Sequence, residues 1–161
     1  MDVTVDPIRA GEESALAALL QLYVYDFSAM LGLELGEDGR YATPSTEGRD
    51  AFLIRVDGKL AGFALIAHVS RLTGEEGVHD VAEFFVVARH RRNRVGERAA
   101  SLLFDRFPGR WEVREKSENE RAIAFWRRAI GRYTNETFTE EMRADERWKG
   151  PIQRFESGKR A

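Results

Sequence analysis

Apolar and polar positions change their period several times along the chain. Val3 and Val5 alternate with polar neighbours, the pattern of a short opening strand. Behind Glu12 and Glu13, residues Leu16, Leu19, Leu20, Tyr23, Val24 and Phe27 recur at helical spacing, which predicts an amphipathic helix broken near residue 25 and followed by a second short helix. Residues 32–49 carry Gly32, Gly36, Gly39, Pro44 and Gly48 among charges and read as a long loop. Ala51–Val56 and Leu60–His68 are apolar runs on either side of Asp57-Gly58, a pair that readily takes the positive φ angles of a tight hairpin turn. A connection over 69–77, with Gly74-Glu75-Glu76-Gly77, leads to a strand at 78–88.

Val95, Ala99, Leu102 and Leu103 then form one face of a helix ending at Pro108-Gly109, and Trp111–Arg114 reads as a short strand. Ser117-Glu118-Asn119-Glu120 matches a capping box ahead of a helix with Ala122, Phe125, Trp126, Ala129 and Ile130 on its apolar side and Gly131 as its stop. Closing strands are expected at Tyr133–Thr139 and Pro151–Phe155, and residues 159–161 are expected to fray. Hairpins combined with one crossover helix predict an α/β (α+β) fold. It should hold a mixed, mostly antiparallel central sheet of about six or seven strands flanked by about four helices.

At 161 residues the chain fits one domain, spanning 1–161. It has no cysteine, so disulfides, thiolate metal sites and a cysteine nucleophile are excluded, and its scattered His68, His79 and His90 match no metal-ligand spacing. No secretory pattern opens the chain and no window approaches eighteen uncharged apolar residues, so an unprocessed cytoplasmic protein without membrane attachment is expected. The formal net charge is −2, against the domain-wide basic excess usual in nucleic-acid binders, so no nucleic-acid partner is expected.

Positive charge is instead local. The apolar strand ending Glu83-Phe84-Phe85-Val86-Val87 runs through a turn holding Arg89, Arg91, Arg92 and Arg94 into a helix that opens Val95-Gly96-Glu97-Arg98. Free backbone N–H groups at a helix start, together with the positive end of its dipole, suit a small polyanion.

These features resemble the GNAT superfamily of acetyl-CoA-dependent N-acetyltransferases over nearly the whole chain. The family's phosphate turn, Arg/Gln-x-x-Gly-x-Gly/Ala, falls on Arg91-Arg92-Asn93-Arg94-Val95-Gly96, and its asparagine, aromatic pair and glycine fall on Asn119, Phe125-Trp126 and Gly131. The segment Gln21 to Ser28 is similar to a poorly characterised bacterial branch. The resemblance implies acetyl-CoA as cosubstrate, held by Phe85, Val86, Val87, Arg91, Arg92, Asn93, Arg94, Val95, Gly96, Glu97, Asn119 and Trp126. Tyr25 and Asp26 become lip residues for the acceptor, a primary amine of a small molecule or peptide. Relatives are commonly homodimers, but no surface stripe here identifies an interface.

A lysine-like amine is neutral only about once in 10^3 to 10^4 molecules at pH 7, so a base is worth about 4–5 kcal/mol. Glu83 interrupts an apolar strand and is the leading candidate, its pKa raised by burial; His79 and Asp80 are fallbacks. Three departures from the family pattern stand out. Arg94 replaces a glycine, at about 1–2 kcal/mol if the position is left-handed. Trp126 replaces a tyrosine that often serves as general acid, and Tyr133 is a nearby substitute. Arg114-Glu115-Lys116 is a charged run where an apolar strand is usual, so either the strand ends early and opens the gap or the site has left catalysis. The alternatives to an enzyme are a non-catalytic acyl-CoA-binding or regulatory protein and, more remotely, a basic module for nucleic acid.

Overall fold

The structure, a computed structural model, describes residues 1–158, so the expected fraying of 159–161 lies outside the described residues. Seven strands make one sheet: β1 (Val3–Pro7), β2 (Asp50–Val56), β3 (Lys59–Val69), β4 (Glu76–Val86), β5 (Gly109–Arg114), β6 (Thr139–Ala144) and β7 (Lys149–Ser157). Their spatial order is β1-β2-β3-β4-β5-β7-β6, and every neighbouring pair is antiparallel except β4 with β5. The expected hairpin joins β2 to β3, with Asp57 at φ 50° and Gly58 at φ 79°.

Three helices flank the sheet among the described residues, one fewer than the sequence suggested. Helix α1 (Glu13–Leu31) runs unbroken through residue 25, because no proline or glycine interrupts it, and it stops where Gly32 takes a left-handed conformation. Its Leu16, Leu19 and Leu20 pack with Leu53, Phe63, Leu65 and Phe85 on one face of the sheet. By length and mean hydropathy α1 is apolar enough to cross a membrane, but Gln21, Asp26 and Ser28 interrupt it, so it holds no window of eighteen uncharged apolar residues. The other face carries Phe52, Ile54, Ala64 and Ile66 against Ala99, Leu103 and Phe104 of α2 (Val95–Arg106) and Trp126 and Ile130 of α3 (Glu120–Thr134).

The last helix corrects three expectations. Its cap is Asn119, whose Oδ1 accepts from the Ala122 N–H at 3.2 Å, so the Ser117–Glu120 capping box does not form. It runs past Gly131, which has no Cβ because one would lie 2.6 Å from the returning Glu136 carboxylate, and it ends at Asn135 in the left-handed region. Tyr133 is therefore helical and the first closing strand lies later, at β6, whereas the expected strand at Pro151–Phe155 falls within β7.

A gap between two parallel strands

β4 and β5 pair only at Val78–Arg110, His79–Trp111 and Asp80–Glu112. Past Asp80, β4 continues to Val86 on the side of β3, while β5 ends at Arg114, so the early end foreseen for that strand is what the fold has. A charged group sits at the fork. Asp80 is fully buried and lies 3.1 Å from Nη2 of Arg114, whose own side chain is only 6% exposed and whose guanidinium rests 4.7 Å from the Trp148 ring centre. Burial raises the Asp80 carboxyl above its ordinary range, and the Arg114 charge opposes the rise. Beyond the fork, Glu115 is tied to β7 by its main chain: its N–H donates to the Pro151 carbonyl and its carbonyl accepts from the Trp148 indole.

Glu83 shares a sheet face with Leu65 and Phe85 and looks towards α1. The Tyr23 hydroxyl donates to its Oε2, and Nη1 of Arg49 stands 3.8 Å from its Oε1. At 15% exposure its carboxyl is raised from the usual range by burial, with Tyr23, Arg49 and Arg71 pulling the other way. Burial and the Glu83 charge raise the Tyr23 phenol well above its ordinary value, so the proton between them stays on tyrosine. Of the fallback bases, Asp80 is engaged by Arg114, while His79 shares a proton with His68, Nδ1 to Nδ1 at 2.8 Å.

The arginine turn follows β4. Arg92 and Arg94 both take positive φ, 70° and 61°, and Arg94 caps α2 without a side-chain hydrogen bond. Left-handed residues at a helix start fold main-chain N–H groups into a concavity that suits anions, and the first-turn N–H groups of a helix have no partner within it. Arg92, Asn93 and Arg94 are exposed around this nest, whereas Val95 is buried beneath it.

Several expected ligands have structural partners of their own. Arg91 donates from Nε to the Val86 carbonyl at 2.8 Å and pairs with Asp26, which Arg121 also holds at 2.9 Å. Asp26 thus ties α1 to the turn and to α3, beside a Tyr25 that is 68% exposed. The Val87 N–H donates to the Ala61 carbonyl, which removes it from the amides open along the gap; Phe85 and Val86 are buried. A Cβ on Gly96 would lie 2.9 Å from the Phe125 ring, so this glycine brings α2 against α3. Glu97 is bound by Arg94, Arg128 and Arg132. Trp126, 4% exposed, is packed among Phe84, Phe104 and Phe125, and Tyr133 points to Asp105 of α2. Sequence reasoning passed over Tyr23, Arg49 and Arg71. The one signal for Tyr23 was a polar-tipped aromatic at an apolar position of α1.

A forked β4/β5 pair with an anion nest at the exit of β4 defines a class of protein, and comparison gives its family. The model of the acetyltransferase (GNAT) family matches residues 16–131, and the chain belongs to that family. No curated protein matches its sequence. Among solved structures it is similar to a GNAT-family acetyltransferase from Staphylococcus aureus, at 10% identity and TM-score 0.61, covering 96% of this chain and 99% of that one. It is also similar to the ribosomal-protein-S18-alanine N-acetyltransferase of Escherichia coli, at 14% identity and TM-score 0.59, covering 99% and 97%. A third, the PaiA N-acetyltransferase of Thermoplasma acidophilum in complex with coenzyme A, has 10% identity and TM-score 0.61, covering 97% and 99%. At these identities the likeness concerns the fold.

Proposed function

We propose that the protein transfers an acetyl group from acetyl-CoA to a primary amine of a small molecule or peptide, with Glu83 as the base. The observation that carries this reading is the gap past Asp80 and Glu112, which has Glu83 at its side and the nest of Arg92 and Arg94 at its end. The nest would hold the pyrophosphate, and the β4 edge from Val81 to Val86, unpaired with β5, would flank the pantetheine arm.

In the reaction the amine nitrogen attacks the thioester carbonyl, forming the C–N bond as the C–S bond breaks. Glu83 takes the proton leaving nitrogen, and the departing thiolate is protonated from solvent. Neither nucleic acid nor membrane enters this reading, which places the reaction in the cytoplasm.

Calorimetric titration with acetyl-CoA, followed by turnover on an amine panel, tests it. Glu83→Gln should lower kcat by about 10^2 to 10^4 while leaving acetyl-CoA affinity intact. Arg92→Glu with Arg94→Glu should weaken that affinity and spare the fold. A second reading is favoured by the burial of Trp126 and the engagement of Tyr133, which leave no phenol of α3 at the gap: a protein that binds acyl-CoA without turning it over. Stoichiometric binding with no acetylated product across the panel would establish that alternative.

A further inference from the structure

Away from the gap, groups from three strands and one turn form a single line of hydrogen bonds. Oδ2 of Asp50, at the start of β2, lies 2.7 Å from Nε2 of His68 on β3. Nδ1 of His68 lies 2.8 Å from Nδ1 of His79 on β4, and Nε2 of His79 lies 3.3 Å from the Pro108 carbonyl, between α2 and β5. Aromatic rings fix the two imidazoles. The Phe107 ring centre is 4.7 Å from that of His68 and 5.6 Å from that of His79, which also meets Trp111 at 5.1 Å. The Phe107 carbonyl accepts from the Trp111 indole and the Ser157 hydroxyl, whereas the next carbonyl, that of Pro108, has His79 as its partner.

Three contacts need three protons. A carbonyl can only accept, so His79 carries a proton on Nε2, and its bare Nδ1 accepts from Nδ1 of His68. The third proton lies between Nε2 of His68 and the Asp50 carboxylate, which makes His68 an imidazolium paired with Asp50 and leaves His79 neutral. Burial lowers the His79 ring from the ordinary histidine value, in keeping with its neutral state, and His68 is the charge that bears on it. Other charges on the surrounding elements are engaged elsewhere. Asp80 faces Arg114, Arg106 of α2 donates to the Val5 carbonyl over the Phe52 ring, and Arg110 of β5 pairs with Glu75 at 2.6 Å. The complete line therefore holds one proton more than a carboxylate and two neutral rings possess, and His68, 34% exposed, is open to exchange it with solvent.

Loss of that proton leaves two for three contacts. His68 keeps the short bond to Asp50 through Nε2, and two bare Nδ1 atoms repel each other at 2.8 Å. The conflict is relieved when His79 moves its proton from Nε2 to Nδ1, which sets a bare nitrogen against the Pro108 carbonyl, the longest of the three contacts. From this geometry we propose that the Asp50–His68–His79 line is a pH-operated latch. With the extra proton it fastens the α2–β5 turn to the sheet; on losing it, within the histidine range of about pH 5 to 8, His79 changes tautomer and releases Pro108. Asp50 directly follows Arg49, whose Nη1 stands 3.8 Å from Glu83, so the latch also anchors the chain beside the candidate site.

NMR of the imidazole nitrogens in the isotope-labelled full chain, followed across the histidine range, tests the latch. His68→Gln, His79→Gln and His90→Gln assign the signals of the protein's three histidines. On the acid side His68 should be protonated on both nitrogens and His79 on Nε2 alone. On the alkaline side His68 should keep its proton on Nε2 and His79 should carry one on Nδ1, both rings changing at one midpoint. The carbonyl-carbon signal of Pro108 should move at that same midpoint. Asp50→Asn removes the anion that supports the extra proton and should lower the midpoint by about one pH unit or more. Three results would each overturn the proposal: a His79 that keeps its Nε2 proton throughout, rings that titrate with unrelated midpoints, or a Pro108 signal that stays in place. A midpoint indifferent to Asp50→Asn overturns it as well, and if that variant does not fold the spectra of the parent decide alone.

Discussion

The hydroxyl of Tyr23 on α1 donates to the carboxylate of Glu83 on β4, two residues 60 positions apart in sequence. The tyrosine ring is packed edge-on against Phe27 and Phe63, at 4.7 and 5.4 Å between ring centres, so the donor is held by a rigid aromatic cluster. A carboxylate on a buried strand is thereby given a fixed direction and one strong hydrogen bond. That contact also joins the helix that walls the gap to the residue that would take the acceptor's proton.

Replacing Tyr23 by phenylalanine keeps those ring contacts and removes only the donor. The hydrogen bond lowers the Glu83 pKa, so its loss leaves burial less opposed and raises that pKa further. The base acts as carboxylate, and its activity climbs as pH passes its pKa. In the variant that climb should therefore move to higher pH, and stability should fall by about 1–3 kcal/mol. A pH–rate profile and a denaturant melt read the two effects; an acidic limb that stays in place would remove Tyr23 from any part in positioning the base.

Glu115→Gln tests the raised carboxyl near the fork. Its folded pKa is about 8 against an ordinary 4.5, so between those values the native protein keeps a proton the unfolded chain has shed. Stability must then decline as pH rises through that window. The glutamine variant carries no such proton, and its melting temperature should exceed that of the parent above about 8 and converge with it below 4.5. Parallel curves for the two proteins would contradict the burial of this charge.

Gly150 lets β7 approach the end of β5. Its φ is 146°, and a Cβ there would lie 2.0 Å from the Glu115 carbonyl oxygen and 2.9 Å from the Ser117 nitrogen. Gly150→Ala should cost about 2–5 kcal/mol, adding overpacking to backbone strain. Gly11→Ala is the comparison: φ is 92° but nothing stands within 4 Å, so strain alone applies, about 1–2 kcal/mol. Urea midpoints of the two variants should differ in that order.

Most elements were visible in the chain because their signals are local. Alternation marked β1, Asp57-Gly58 marked the β2–β3 hairpin, and the arginines after Val87 marked the turn that opens α2, with Arg94 left-handed as its displacement of a glycine suggested. Errors gathered where a local cue met a nonlocal contact. Gly131 looked like a helix stop, but its missing Cβ accommodates Glu136, and Ser117 looked like a cap, but Asn119 reaches the free N–H groups first.

The candidate site was legible only in part. Glu83 stood out because a carboxylate inside an apolar strand is costly, and that reasoning depends on the strand alone. Arg91 and Asp26 carried charges suited to phosphate and amine, yet each has the other as partner, a pairing across 65 positions that no spacing rule reveals.

By itself the sequence determined the periods of its strands and helices, the tight turns, the chain of basic residues at a helix start and the absence of cysteine chemistry, since each is read from composition or from neighbours within a turn or two. Tertiary structure alone decided which charges meet. The fork between β4 and β5, the Tyr23–Glu83 bond and the Asp80–Arg114 pair arise from groups brought together by folding, because electrostatics and burial act through space and not along the chain.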